Sequence, residues 1–425
     1  MIFGPLALLA ALVATSPPAS ALVVPLRPGV AADAISQARA LEERALERPR
    51  DPAARVDLAL AYRALARLTG RAEWDVKAAT AVSSALALAP TDPDALAVKA
   101  WVQAANHDFE NAVLTAASVV KVAPQKAWAW GVLADGYVEL GRYQEAVAAV
   151  EKMMAARPSG AAYSRAAHLR SLHGDSEGAV ALMQMAVDAT SPSDPEGRAW
   201  MLVMLGREHQ SRGEHDVARI NYRAALRIVP DYHLAVFHLA DSLAAGDEIE
   251  PAIALLTPLH SAVPGAVTAA ALGDLHAEAG RQAQADAYYA EVDAFAATRD
   301  PAKAEPRWLA KFYADQRREL ASAVSLVQSE LKTHQDVETW DGLAWVLHRS
   351  GRHAEAMAAA ERASAIGTRR ARLLYHRGLI EQAAGRNGAA RRNLEAALTL
   401  NDLWPAERRE AAEALKRMTT NGGDR

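Results

Sequence analysis

The chain has 425 residues, 51% of them hydrophobic and 6% aromatic, with a net charge of −4. Lysine and arginine are interspersed with aspartate and glutamate, so no basic stripe marks a nucleic-acid surface. Cysteine is absent, which excludes disulfides, thiolate catalysis, cysteine-based zinc sites and a lipidated cysteine anchor.

No charge precedes Arg27. An apolar run from Leu6 to Val13 leads to Pro17-Pro18 and then to Ala19-Ser20-Ala21. That order reads as the apolar core and A-x-A site of a secretory signal over 1–21, cleaved after Ala21, although no Lys or Arg precedes the run. The run is too short to span a bilayer comfortably, and no other segment is long and apolar enough to do so. An uncleaved anchor, or an apolar first helix with a misassigned start, is the alternative for this segment. Residues 22–50 are expected to form a linker, with Pro25 and Pro28, and a capping helix over 33–47 that carries Leu41 and Ala45 on one side.

From residue 51 to 404 a degenerate pattern repeats. The clearest copy is 127–160, where Trp130, Leu133, Ala134 and Tyr137 are followed by Gly141, Tyr143, Ala146, Val150 and Pro158. Residues 52–91 hold Leu58, Ala59, Tyr62, Ala78, Val82, Ala85 and Pro90, with extra residues around Gly70 to Trp74 that predict a lengthened turn. Residues 93–126 carry Leu96, Ala100, Phe109, Ala112 and Ala116, and residues 160–193 carry Tyr163, Ala167, Gly174, Ala179 and Met183. Further copies start at 199, 233 and 266, marked by Leu205-Gly206, Leu239-Ala240 and Leu272-Gly273. The copy at 303–336 keeps Leu309-Ala310, Tyr313 and Ala323 but lacks the turn glycine. Copies at 337 and 371 follow, with Leu343-Ala344, Gly351 and Ala356, then Gly378, Gly385 and Ala390. Residues 405–418 read as a C-terminal capping helix with Ala411, Leu415 and Met418 on one face, and 419–425 as a disordered tail.

With its period of about 34 residues, this pattern resembles the tetratricopeptide (TPR) repeat. The resemblance implies an all-α fold, a right-handed superhelical α-solenoid of about ten helix-turn-helix repeats. A small residue at the eighth position and an alanine opening the second helix let the two helices approach closely. The turn glycine takes a positive φ without a Cβ penalty.

The resemblance also implies that the first helix of each repeat lines a concave groove. Its non-packing positions here hold Trp101, Trp128, Arg165, His168, Trp200, Arg207, Phe237, His238 and Asp241. Towards the C-terminus they hold Arg307, Trp308, Lys311, Trp345 and Tyr375. Of nine tryptophans, only Trp130 and Trp340 sit in the packing slot. Trp and Arg are enriched at binding hot spots, so the expectation is a groove that grips a protein or peptide partner. The alternative for each ring is burial between neighbouring helices. The Lys/Asn set with which some TPR proteins clamp a peptide C-terminus is missing.

No histidine pair has helical i, i+3 or i, i+4 spacing, and there is no H-E-x-x-H, P-loop or G-x-S-x-G. The expected function is therefore a non-enzymatic scaffold of the periplasm or cell envelope, with no metal and no cofactor. Two other readings stay open: a cytoplasmic TPR regulator, and a binding protein for a small ligand, glycan or metal ion. The partner's identity and self-association are not legible.

Overall fold

The computed structural model describes residues 30–298 and 305–420. The expected signal and linker before residue 30, and residues 421–425 of the expected tail, lie outside them.

Helix α1 (Val30–Glu47) precedes ten helical pairs. Units 1 to 5 are α2 (Pro52–Thr69) with α3 (Glu73–Leu88), α4 (Pro93–Ala105) with α5 (Phe109–Val122), α6 (Ala127–Glu139) with α7 (Tyr143–Ala156), α8 (Gly160–Leu172) with α9 (Ser176–Ala189), and α10 (Pro195–Gln210) with α11 (His215–Ile228). Units 6 to 10 are α12 (His233–Ala245) with α13 (Ile249–Ala262), α14 (Ala266–Glu278) with α15 (Gln282–Ala297), α16 (Pro306–Asp315) with α17 (Leu320–Glu330), α18 (Val337–Arg349) with α19 (His353–Ala363), and α20 (Ala371–Ala383) with α21 (Asn387–Leu400). Helix α22 (Pro405–Thr420) closes the array and runs two residues past the expected boundary. Among the described residues there is no strand, and no helix is long and apolar enough to cross a membrane. The fold is the expected all-α superhelical solenoid.

The first helix of each unit is called A and the second B. Local chemistry starts several A helices: the Asp92, Ser159, Asp194 and Asp336 side chains accept from backbone N–H groups of the first turn. Proline stands at the start of α2, α4, α10 and α16, where its missing N–H costs nothing. Packing then follows the small residues. Ala112, Ala146, Ala179, Ala218, Ala252, Ala285, Ala323, Ala356 and Ala390, one per B helix from unit 2 onward, are all fully buried. In units 5 and 7 the A helix offers glycine and the B helix fills the space with a ring: Gly206 faces Tyr222 and Gly273 faces Tyr289.

Every A–B turn carries at least one residue of positive φ, a glycine in seven units and His107, Asp247 or Arg317 in units 2, 6 and 8. Unit 8, which lacks the glycine, uses Arg317 and Glu319 instead. Unit 1 departs from expectation. Its turn is short, and the extra residues extend α2 to 18 and α3 to 16 residues. The segment Tyr62–Thr69 continues as helix until Gly70 reverses it at φ 68°.

The coil then meets itself. The turn of unit 3 lies against the loop joining units 8 and 9, where the Gln335 N–H donates to the Glu139 carbonyl (2.7 Å) and the Val337 N–H to the Tyr143 hydroxyl (2.9 Å). The turn of unit 4 meets the loop joining units 9 and 10, where the Thr368 hydroxyl donates to the Leu172 carbonyl (2.5 Å). The turn of unit 5 meets the end of unit 10, where His215 Nε2 lies 2.6 Å from the Asn401 carbonyl oxygen. These contacts form a seam between successive coils.

Candidate functional site

Each A helix packs on its own B helix, and all but one of the successive A–A pairs touch closely, which turns the A helices to the inside of the coil. The expected groove residues therefore face a common interior, but they fare differently there.

The first group completes its polar contacts within the chain. Arg165 forms a bidentate pair with Asp135 across units 3 and 4 (2.6 and 2.9 Å). Arg307 pairs with Asp336 (3.1 Å) and Glu305 (3.0 Å). Lys311 lies 3.4 Å from Asp341, whose carboxylate also meets His376 Nδ1 at 3.0 Å. Asp241 accepts from Gln210 (2.7 Å) and from the Trp404 indole (2.9 Å).

The tryptophans divide as well. Trp101, Trp128, Trp200 and Trp308 are half-buried. Arg63 and Arg67 lie over the Trp101 ring at 4.9 and 5.4 Å. Trp128 packs among the apolar side chains of the first units, and Trp200 among those of units 4 to 6. Trp308 stacks on Phe312 with centroids 5.7 Å apart. Trp345 is 0% exposed: it donates to Asp315 (2.6 Å), stacks on His376 (4.0 Å) and lies beneath the Arg349 guanidinium (4.0 Å). Tyr375 is buried too and donates to Glu410 (2.5 Å). Both are packing residues beneath α22 and present no ring to a ligand.

A third group remains open. His168 and Arg207 are exposed and His238 is half-buried, on the A helices α8, α10 and α12. Arg207 touches the Met204 sulfur at 3.7 Å, and His238 stacks on Tyr222 (5.9 Å) and meets the Phe237 edge (5.5 Å). The surrounding protein, then Arg370 and Arg207, pushes His168 down to about 4. Enclosure and Arg207 hold His238 well below its usual value. Both imidazoles are neutral at neutral pH.

The sequence pattern missed the occupant of the far end of the groove. Segment 401–410 reaches back into it: Asp402 accepts from Gln210 (3.0 Å), Glu407 pairs with Arg372 (2.6 Å), and Arg408 donates to the Ala245 carbonyl (2.8 Å). Arg409 pairs with Glu278 (2.8 Å) and Glu410 with Arg349 (2.7 Å). Trp404 lies outside the repeat register, so periodicity could not single it out. Among the described residues no group of three or more His, Asp and Glu is placed to hold a metal ion.

Residues 132–195 and 203–258 match the family model described as tetratricopeptide repeat. No match is found among curated proteins. Among solved structures the chain is similar to a thermophilic TPR protein of Thermus thermophilus, at 22% identity over 45% of this chain and 99% of that one, with a TM-score of 0.40. It is similar to PilF of Pseudomonas aeruginosa at 16% identity, over 48% of this chain and 97% of that one, with a TM-score of 0.39. It is also similar to human IFIT1, there a dimer with PPP-AAAA, at 14% identity over 86% of this chain and 94% of that one, with a TM-score of 0.48.

Proposed function

The chain is a tetratricopeptide repeat protein, and from that premise we propose that it is a non-enzymatic scaffold holding a peptide or protein partner on its concave face, in the periplasm or cell envelope. The observation that carries the reading is the open stretch of groove across units 3 to 6. There Trp128 and Trp200 are half-buried, and His168, Arg207 and His238 are not used up by the cross-unit pairs that occupy both flanks. Half-buried rings beside unpaired polar groups are the composition of a binding hot spot. Location rests on the order of apolar run, proline pair and Ala19-Ser20-Ala21 at the N-terminus.

Affinity capture from envelope extract tests this, with the wild-type chain beside Trp128→Ala/Trp200→Ala. Both rings also pack, so circular dichroism and melting are measured on the same samples. A protein retained by the wild type and lost by a folded variant is expected. Equal retention by both rejects the groove. N-terminal sequencing of the exported protein should begin at Leu22, and an intact Met1 in the mature protein rejects the export reading.

A further inference from the structure

Cations on the inside of this coil follow one rule. Arg165, Arg307, Lys311, Arg370 and Arg372 each have a carboxylate partner from the chain: Asp135, Asp336, Asp341, Glu338 and Glu407. Arg207 has none among the described residues. Its one polar contact among them is the Met204 sulfur, and its side chain is exposed. Its neighbours along the groove, His168 and His238, have no hydrogen-bond partner among the described residues. One cation and two neutral imidazoles thus form a gap in an otherwise completed polar network, framed by Arg165–Asp135 on one side and Gln210–Asp241–Trp404 on the other.

From this gap, and resting on the groove reading above, we infer that His168, Arg207 and His238 form a site for the carboxylate of an acidic side chain in an extended peptide. The charge count selects the ligand. A single guanidinium offers one positive charge in a planar fork that matches a carboxylate, and neutral imidazole N–H groups add hydrogen bonds without adding charge. A dianionic phosphate would be left half-neutralised. The ligand carboxylate stands to Arg207 as Asp135 stands to Arg165 one unit earlier. The half-buried Trp200 and Phe237, on α10 and α12, supply apolar contact for the flanking residues of the peptide.

The test uses the full chain and a fluorescein-labelled decapeptide of alternating Glu and Ala, acetylated and amidated so that no terminal charge remains. Its Gln-Ala counterpart is the control. The Glu peptide is expected to bind with an affinity that falls as salt rises, and the Gln peptide to bind at least about tenfold more weakly. Arg207→Gln should erase that difference, while Arg227→Gln, an exposed arginine on α11, should leave it intact. Arg207→Lys keeps the charge without the fork and should recover part of the affinity. Arg207 is exposed, so melting temperatures of all variants should match the wild type. Equal binding of the two peptides, no binding of either, or an unchanged Arg207→Gln overturns the site. A free-acid Gln-Ala peptide that binds better than the blocked Glu-Ala peptide overturns it too, by assigning the terminal carboxylate. If these arms fail while Trp128/Trp200-dependent capture persists, the anion site falls and the groove stands.

Discussion

The A–B turns of units 3, 4 and 5 and those of units 7, 9 and 10 share one backbone conformation and differ in what surrounds them. Gly141, Gly174 and Gly213 have φ of 68°, 79° and 77°; Gly280, Gly351 and Gly385 have 72°, 76° and 76°. A Cβ added to the first three would lie 2.5, 2.6 and 2.6 Å from the carbonyl oxygens of Gln335, Gly367 and Leu400, whereas at the other three nothing lies within 4 Å. The same local signal therefore serves two purposes. In units 7, 9 and 10 it only reverses the chain. In units 3 to 5 it also lets one coil sit on the next. A solenoid whose units touch only their neighbours has stability that sums along the chain. Here units 3 to 5 are tied to units 8 to 10, and units 6 and 7 to α22, and the sum gains terms between distant units.

Alanine exchanges at these glycines separate the two roles and give the largest expected effect. At Gly385 the variant bears only the left-handed backbone cost, about 1–2 kcal/mol. At Gly174 the same cost is joined by a clash with a backbone carbonyl that no side-chain rotation relieves, for roughly 2–5 kcal/mol in all. Asparagine sharpens the contrast, because it tolerates positive φ but still carries a Cβ. Gly385→Asn should melt close to wild type and Gly174→Asn well below it. Equal losses at both positions, read from denaturant midpoints of the full chain, would break the comparison.

The register was legible because close packing leaves its mark on residue size. Ala146 and its counterparts could be placed from spacing alone, and all are buried. The turns were legible only where glycine made them: His107, Asp247 and Arg317 take positive φ because the helices on either side demand it. The site was half legible. The ninth position of the A helix holds Arg207 in unit 5 and Trp345 in unit 9, and the pattern treats them alike. Arg207 looks into open groove, whereas Trp345 is covered by Arg349, His376 and the α22 side of the coil. That difference arises from the coil turning back on itself, which a period of about 34 residues does not encode.

Single hydrogen bonds across the seam are worth less than the backbone contacts but report on them directly. Thr368→Val keeps shape and burial, removes the hydroxyl that donates to Leu172, and leaves that carbonyl without its partner. The expected cost is about 1–2 kcal/mol. Ser350→Ala removes a hydroxyl that bonds only within its own helix, to the Val346 carbonyl at 2.7 Å, and should cost less than about 0.5 kcal/mol. Hydrogen exchange extends the pair. Thr368→Val should loosen amides around Leu172 and His173, more than 190 residues away in sequence, and Ser350→Ala should not. If loosening stays within units 9 and 10, the coils are not coupled.

The smallest effect tests the seam by pH. Asp402 is pushed up to about 7, by burial first and by the facing Asp241 next, while its hydrogen bond from Gln210 pulls the other way. Gln210 and Asp241 belong to units 5 and 6, so Asp402 brings a second carboxylate across the seam. An aspartate whose folded value exceeds its unfolded value of about 4 keeps its proton longer in the fold. The fold is then favoured at low pH, and this contribution is lost as pH rises from about 4 towards the raised value near 7. Asp402→Asn removes that titration while keeping an oxygen to accept from Gln210. The variant should match the wild type at about pH 4 and melt higher at about pH 8, by a margin on the order of 1 kcal/mol once discounted for the water that reaches a half-buried group. Acid alone unfolds many proteins through their other carboxylates, so the reading is the difference between the two chains at each pH and not either curve by itself. A difference that stays flat across this range would mean that Asp241 and Asp402 do not face each other, and the last contact of the seam would go with them.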